Sequence, residues 1–180
     1  MTILPRSRPL TRTDLEAVPD DGHRYELIDG VLLVTPVPLL RHQRASFRLG
    51  LVLSQALTAG LEILAAPFDV VLADDTVLQP DLLVVRQADL TERNLPGAPL
   101  LAVEILSPST RRIDLLLKRS RYESAGTPSY WVIDPAEPSI ITWELRDGVY
   151  AEAGRASGEQ SLTVQSPFPV TVCPERFVVP

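Results

Sequence analysis

Glu104 lies in Pro99-Leu100-Leu101-Ala102-Val103-Glu104-Ile105-Leu106, a run in which every other residue is apolar. The run reads as a strand, and alternation puts Glu104 on the same face as Leu100, Ala102 and Leu106. A carboxylate in such a strand is rarely left alone, because burying a bare charge is very costly. It must be paired, bound to a cation, or placed at a strand end near solvent. Whatever fold the chain adopts has to provide for that one charge.

The surrounding sequence supplies the sheet in which such a strand would sit. Arg24 to Pro36 contains two short apolar runs joined at Asp29-Gly30, a strong hairpin signal. Leu61–Ala65, Phe68–Ala73, Leu82–Arg86, Ser129–Asp134, Ile140–Leu145 and Val149–Glu152 read as further strands, with turns at Asp74-Asp75 and Asp147-Gly148. Three segments read as helices. Thr11–Val18 is short, with Thr11 or Thr13 as its cap. Leu40–Ala59 has apolar residues at helical spacing (Ala45, Leu49, Val52, Ala56, Ala59), with Gly60 suited to close it. Arg111–Ala125 follows the polar loop Ser107–Thr110 and is itself followed by Gly126. The order of elements specifies an α/β (mixed α+β) fold, a mixed sheet with helices packed on it. No repeat or low-complexity linker divides the chain, so residues 1–180 are expected to form one domain.

Composition narrows the classes of function. The hydrophobic content of 45% with 22% charged residues is that of a soluble globular protein. No apolar run approaches the ~20 residues of a membrane helix, and the opening MTILPRSRPLTRTD has no apolar core of a secretory signal. With Cys173 as the single cysteine, a reducing, cytoplasmic setting is the expectation. A net charge of −6 argues against a general nucleic-acid coat, while leaving room for local phosphate chemistry through a metal ion and a few arginines.

A second carboxylate repeats the pattern of Glu104. Gln79-Pro80-Asp81 precedes the apolar run Leu82–Val85, and Pro-Asp by itself often just opens a strand or a turn. As a pair at neighbouring strand ends, Asp81 and Glu104 make a hard oxygen site suited to Mg²⁺ or Mn²⁺. Asp114, Lys118 and Tyr122 stand at i, i+4 and i+8 on one side of the following helix, with Ile113, Leu116, Leu117, Ser120 and Ser124 on another. The plain alternative for Asp114 and Lys118 is a solvated ion pair worth a few tenths of a kcal/mol. Against it, Leu115 and Tyr122 share that side, so it is not an evidently wet face, and the chain's single lysine beside 16 arginines is Lys118.

The succession YELIDG, a histidine in the next helix, PDLLVV, VEILSPST, DLLLKRSRY and YWVIDP resembles the Uma-type (Uma-two) endonuclease family of the PD-(D/E)XK restriction-endonuclease-like superfamily. The resemblance spans Tyr25 to Pro135. It implies a restriction-endonuclease-like central mixed sheet flanked by helices, with an N-terminal helix and hairpin. Pro80-Asp81 matches the PD of the motif and Glu104 its second acid. Leu106 stands where the motif lysine is expected, and Lys118 matches a lysine recruited from the following helix. The resemblance further implies a Mg²⁺ or Mn²⁺ ion on Asp81, Glu104 and the backbone carbonyl of Ile105, with Glu26 assisting. It implies cleavage of nucleic acid, DNA rather than RNA, by a protein that can form a homodimer. His42 matches the family's histidine position, where a capping or core role is the alternative. Glu26 could instead be an ordinary charge on the outer face of the hairpin. His23, Asp134, Arg111 and Arg112 could meet phosphates or merely water.

Two rival functions remain open at this level. A nuclease fold retained for binding or scaffolding, without turnover, would suit the missing local lysine and the acidic surface. A two-carboxylate glycosidase needs a general acid across a sugar cleft, and an aromatic content of 6% supplies few side chains to line one.

Overall fold

Arg24–Ile28 (β1) and Val31–Thr35 (β2) form the expected hairpin, with Ile28 opposite Val31 across the turn. The computed structural model describes residues 8–178; the first seven residues, which open the stretch read as lacking a secretory signal, lie outside it. Asp29 and Gly30 both have positive φ, 52° and 74°, the combination whose twist matches that of the flanking strands. Gly30 is also closely approached, since a Cβ built there would meet Pro9 Cβ at 2.4 Å. Its amide donates to the Asp75 carbonyl, and its carbonyl accepts from the Leu10 amide. Helix α1 (Arg12–Glu16) starts at Thr11, whose amide and hydroxyl both donate to Asp14 Oδ2, at 2.8 and 3.0 Å.

Helix α2 (Leu40–Ala56) is shorter than its apolar spacing predicts. Leu57 is already extended (φ −56°, ψ 139°) and packs beside the core. Gly60 closes no helix; its φ of 82° serves the turn in which the Leu61 amide donates to the Thr58 carbonyl. The strands that follow are β3 (Leu61–Ala65), β4 (Asp69–Ala73), β5 (Thr76–Leu78), β6 (Leu82–Arg86), β7 (Asn94–Pro96) and β8 (Leu101–Ile105). A π-helical stretch, Ile113–Lys118, runs directly into α3 (Arg119–Ser124). Then come β9 (Ser129–Asp134), β10 (Ser139–Arg146), β11 (Val149–Ser157), β12 (Leu162–Val164), β13 (Val170–Val172) and α4 (Glu175–Val178). The three-residue strands β5, β7, β12 and β13 carry too little pattern to be read from sequence.

The strands form a six-stranded sheet in the order β11-β10-β9-β8-β6-β3, a five-stranded sheet in the order β2-β1-β5-β4-β7, and the β12–β13 pair. Within the larger sheet β8 and β9 run parallel, and β6 runs antiparallel to β8. On one face Leu82, Val84, Leu101, Val103 and Ile105 pack against Ala45, Leu49 and Leu53 of α2. On the other, Leu83, Val85, Ala102 and Leu106 meet Tyr122, Tyr130 and the Val70 and Leu78 side chains of the smaller sheet. Strand β8 is therefore covered on both faces, which is why it is written as a nearly unbroken apolar run. Each fully buried leucine contributes about 1.5–3 kcal/mol, so the strand that carries Glu104 is firmly fixed. No helix among the described residues is long and apolar enough to cross a membrane.

The hairpin offers a direct check. Gly30→Ala would combine a strained positive φ with a collision against Pro9, and should cost about 2–3 kcal/mol. Urea denaturation would measure it, and a midpoint unchanged from wild type would mean that the Pro9–Gly30 contact is not made.

Candidate functional site

Strand register brings the two suspect carboxylates together. Leu82 of β6 faces Val103 of β8, so Asp81, one residue before β6, comes alongside Glu104 and Ile105. The contact is explicit: Asp81 Oδ2 accepts the Ile105 amide at 2.8 Å. The same oxygen lies 3.1 Å from His42 Nε2, and Asp81 Oδ1 accepts from an Arg24 Nη at 3.2 Å. The long helix, the hairpin and the central strand thus all converge on one carboxylate.

Glu104 belongs to a second, deeper group. Lys118 Nζ lies 2.9 and 3.1 Å from the two oxygens of Glu26, 3.2 Å from Glu104 Oε1 and 3.6 Å from Asp114 Oδ1. Glu26 is 1% exposed, and Glu104, Asp114 and Lys118 are 2% exposed each. Both plain alternatives fail on these facts. Glu26 is not on a wet outer face, since it also accepts the Gln79 amide at 2.8 Å. Asp114 and Lys118 are not a solvated pair. The leucines beside them are the wet residues, with Leu116 58% and Leu117 37% exposed.

The π-helical stretch explains how this inverted helix can form. An α-helix overshoots a full turn in four residues, whereas a widened π turn undershoots. Asp114 and Lys118 lie in the widened part and Tyr122 in the α part, so the two drifts offset. The three side chains stay on one buried stripe, with Tyr122 at 0% exposure. Widened turns of this kind are frequent at functional sites.

The electrostatics follow from burial and neighbours. For Lys118 burial works against its charge, but Glu104, Glu26 and Asp114 outweigh it and hold the ammonium protonated, above its ordinary range. The three acids around Lys118 thus favour its charged form. Glu104 is pushed well above the ordinary carboxyl range, first by burial and then by Asp114, Asp81 and Glu26, against the pull of Lys118. Asp114 is raised by burial as well. Burial also acts to raise Asp81, but the His42 hydrogen bond, the charges of His42 and Arg24 and the Ile105 amide prevail and hold it below its usual value. Two carboxylates on adjacent strands are thus driven in opposite directions.

These side chains open onto a cleft of about 550 Å³ lined by Arg24, Glu26, His42, Asp81, Glu104 and Lys118, together with the uncharged segment 35–39. Arg24 was not singled out from sequence, although its place two residues before Glu26 on β1 puts both on one face. Asp134 accepts from Arg111, and neither lines the cleft. His23 lies outside it too, with Nδ1 2.9 Å from Asp21 Oδ1, and Arg112 has no ion pair among the described residues.

The family model described as "Uma2: Putative restriction endonuclease" matches residues 12–174. The chain belongs to the Uma2 family. No curated protein matches this Uma2 chain in sequence. Among solved structures it is similar to a protein from Anabaena variabilis ATCC 29413 described as "a putative nuclease belonging to DUF820". The TM-score is 0.76 at 17% identity, covering 94% of this chain and 98% of that one. The likeness shows a mixed α+β fold shared with a nuclease-fold structure.

The raised Glu104 carboxyl has a consequence for stability. It binds its proton more tightly in the folded chain than in the unfolded one, so its ionisation costs stability at and above neutral pH, and that cost fades as pH falls. Glu104→Gln, with Lys118 still facing Glu26 and Asp114, should raise the Tm in metal-free buffer at pH 8 by about 3 °C, roughly 1 kcal/mol. The gain should shrink in acid. Thermal melts across pH test this, and a variant less stable than wild type at pH 8 would show that the Lys118 contact dominates instead.

Proposed function

We propose that this Uma2 chain is a divalent-metal-dependent endonuclease that hydrolyses phosphodiester bonds. The observation that carries it is the convergence of Asp81, Glu104 and Lys118, from a strand approach, a central strand and a helix, on one cleft of a nuclease-type fold. DNA rather than RNA as substrate draws on the family's restriction-endonuclease description. A single domain, a cytoplasmic setting and assembly as a homodimer belong to the same proposal, and light scattering reads the last.

The residues present fit a divalent ion. Glu26, Asp81, Glu104 and Asp114, counted as ionised, face only two fixed cations, Arg24 and Lys118. The excess of negative charge sits on hard oxygen donors, the kind Mg²⁺ and Mn²⁺ prefer. Asp81 and Glu104 with the Ile105 backbone carbonyl would hold the ion; among the described residues no three His, Cys, Asp or Glu side chains stand as a ready cage. When bound, a divalent ion makes a coordinated water more acidic and offsets charge on phosphate oxygens.

The chain's own groups supply the rest. Arg24 holds Oδ1 of the Asp81 carboxylate, while the Ile105 amide and His42 fix Oδ2. Lys118, protonated and gripped by Glu26, presents a compact positive charge beside Glu104, where it orients a water or meets the developing anion. Glu26 acts by anchoring Lys118, and a ligand role alongside Asp81 and Glu104 is part of the proposal. The buried walls strengthen each of these interactions relative to water.

Two measurements test the proposal. Mg²⁺ or Mn²⁺ at a hundredfold excess over its Kd should stabilise the protein by about 2.7 kcal/mol, and Asp81→Asn with Glu104→Gln should abolish the effect. A double variant that still responds like wild type would place the ion elsewhere. In single-turnover cleavage at saturating Mg²⁺, Lys118→Met should lose ~10²–10⁴-fold in rate. Lys118→Arg should lose nearly as much, because a planar guanidinium cannot present the same point charge. Full activity in a folded arginine variant would remove Lys118 from the chemistry. Metal binding without any cleavage by wild type would favour a binding or scaffold protein.

A further inference from the structure

Beside the acidic cleft lies a second cavity, of about 530 Å³, and the two share Gly22, Arg24 and Pro67 as lining residues. Arg24 lines both cavities and is hydrogen-bonded to Asp81 at 3.2 Å on the cleft side. The second cavity is lined by His23 and Tyr25, whose rings form a tilted pair with centroids 6.2 Å apart. Asp21 fixes the pair: its Oδ2 accepts the Tyr25 hydroxyl at 2.9 Å, and its Oδ1 accepts the His23 amide at 3.1 Å and lies 2.9 Å from His23 Nδ1. The pair contributes nothing to the hydrophobic core, which draws its aromatic side chains from elsewhere. His23 keeps 58% of its side chain in solvent.

We propose that this Asp21-clamped His23–Tyr25 pair is a stacking platform for an unpaired nucleobase, and that the two cavities together take a single nucleic-acid strand. The inference rests on the endonuclease reading of the adjoining cleft and names the form of its substrate. Aromatic faces held in place beside a backbone-binding groove are how proteins bind single strands irrespective of sequence. The depth of the acidic site points the same way. Asp81, Glu104 and Lys118 keep only 7%, 3% and 3% of their side chains exposed, at the bottom of a cleft of about 550 Å³. One strand with its bases splayed can follow a cleft of that depth and set a phosphate beside these side chains. Arg24, lining both cavities and already paired with Asp81 and Glu26, marks where a strand would pass from the metal site to the platform. Asp20 and Asp69, which line the second cavity, carry negative charge, which suits the edge of a base carrying N–H donors better than a second phosphate.

The test is equilibrium binding of fluorescent oligonucleotides to the full chain in Mg²⁺, followed by anisotropy, with cleavage recorded in the same samples. Wild type should bind a short single strand at least tenfold more tightly than the equal-length duplex. Tyr25→Leu should lose about tenfold or more on the single strand and nothing on a fully abasic strand of the same length, with kcat little changed and KM raised. Tyr25→Phe, which keeps the ring and loses only the Asp21 bond, should recover most of the affinity. His23→Ala, an exposed change that leaves the hairpin intact, should weaken single-strand binding in the same sense and covers the case in which Tyr25→Leu unfolds. Equal binding of duplex and single strand, or a folded Tyr25→Leu protein that binds the single strand like wild type, overturns the platform. Cleavage that persists in either case leaves the endonuclease reading intact. Single-strand binding that depends on Tyr25, with no cleavage of any nucleic acid, keeps the platform and removes the endonuclease.

Discussion

A single buried ammonium organises the candidate site of this protein. Lys118 reaches Glu26 on the hairpin, Glu104 on the central strand and Asp114 one turn away on its own helical segment. None of these carboxylates could stay ionised at 1–2% exposure without a cation among them, because an uncompensated buried charge costs several kcal/mol. Removing the lysine would leave three acids facing one another. The helix, the five-stranded sheet and the six-stranded sheet are thus tied at one point by charge as well as by packing.

The same arrangement separates the roles of the acids. Asp81 is surrounded by donors (Arg24, His42 and the Ile105 amide) and is held in its ionised form. Glu104 is pushed the other way by its burial and then by Asp114, Asp81 and Glu26, against the pull of Lys118. Paired groups whose environments drive their protonation apart are a common mark of catalytic sites. The hydrophobic framework makes this possible. Strand β8 is clamped between α2 on one face and Tyr122, Tyr130 and the smaller sheet on the other, so Glu104 cannot turn away to solvent.

Much of the site was legible in the sequence because its chemistry violates local expectation. A lone acid in an apolar strand, a Pro-Asp at the head of another and the chain's one lysine all stand out against their neighbours. Asp114 was visible as the i−4 partner of Lys118, although its burial was not. Arg24 left only a weak signal, since an arginine alternating with a glutamate on a hairpin usually faces water. The helix was the least legible element: its leucines, Leu116 and Leu117, point outward and its charges inward, and in the sequence only Leu115 and Tyr122 beside those charges hinted at it.

By itself the sequence determined the strand order signals, the Asp29-Gly30 hairpin, the mixed α+β class and the identity of the residues that carry charge into the core. These are local matters of side-chain period, turn chemistry and polarity. Only the tertiary structure decided that β6 and β8 are neighbours in a register that seats Asp81 against Ile105, that the helix turns its polar stripe inward through a π-widened turn, and that α2 ends at Ala56 so that Leu57 can join the core. Those outcomes depend on contacts between residues far apart in the chain, such as Lys118 with Glu26 across 92 positions. Their energies outweigh the local preferences that a sequence pattern records.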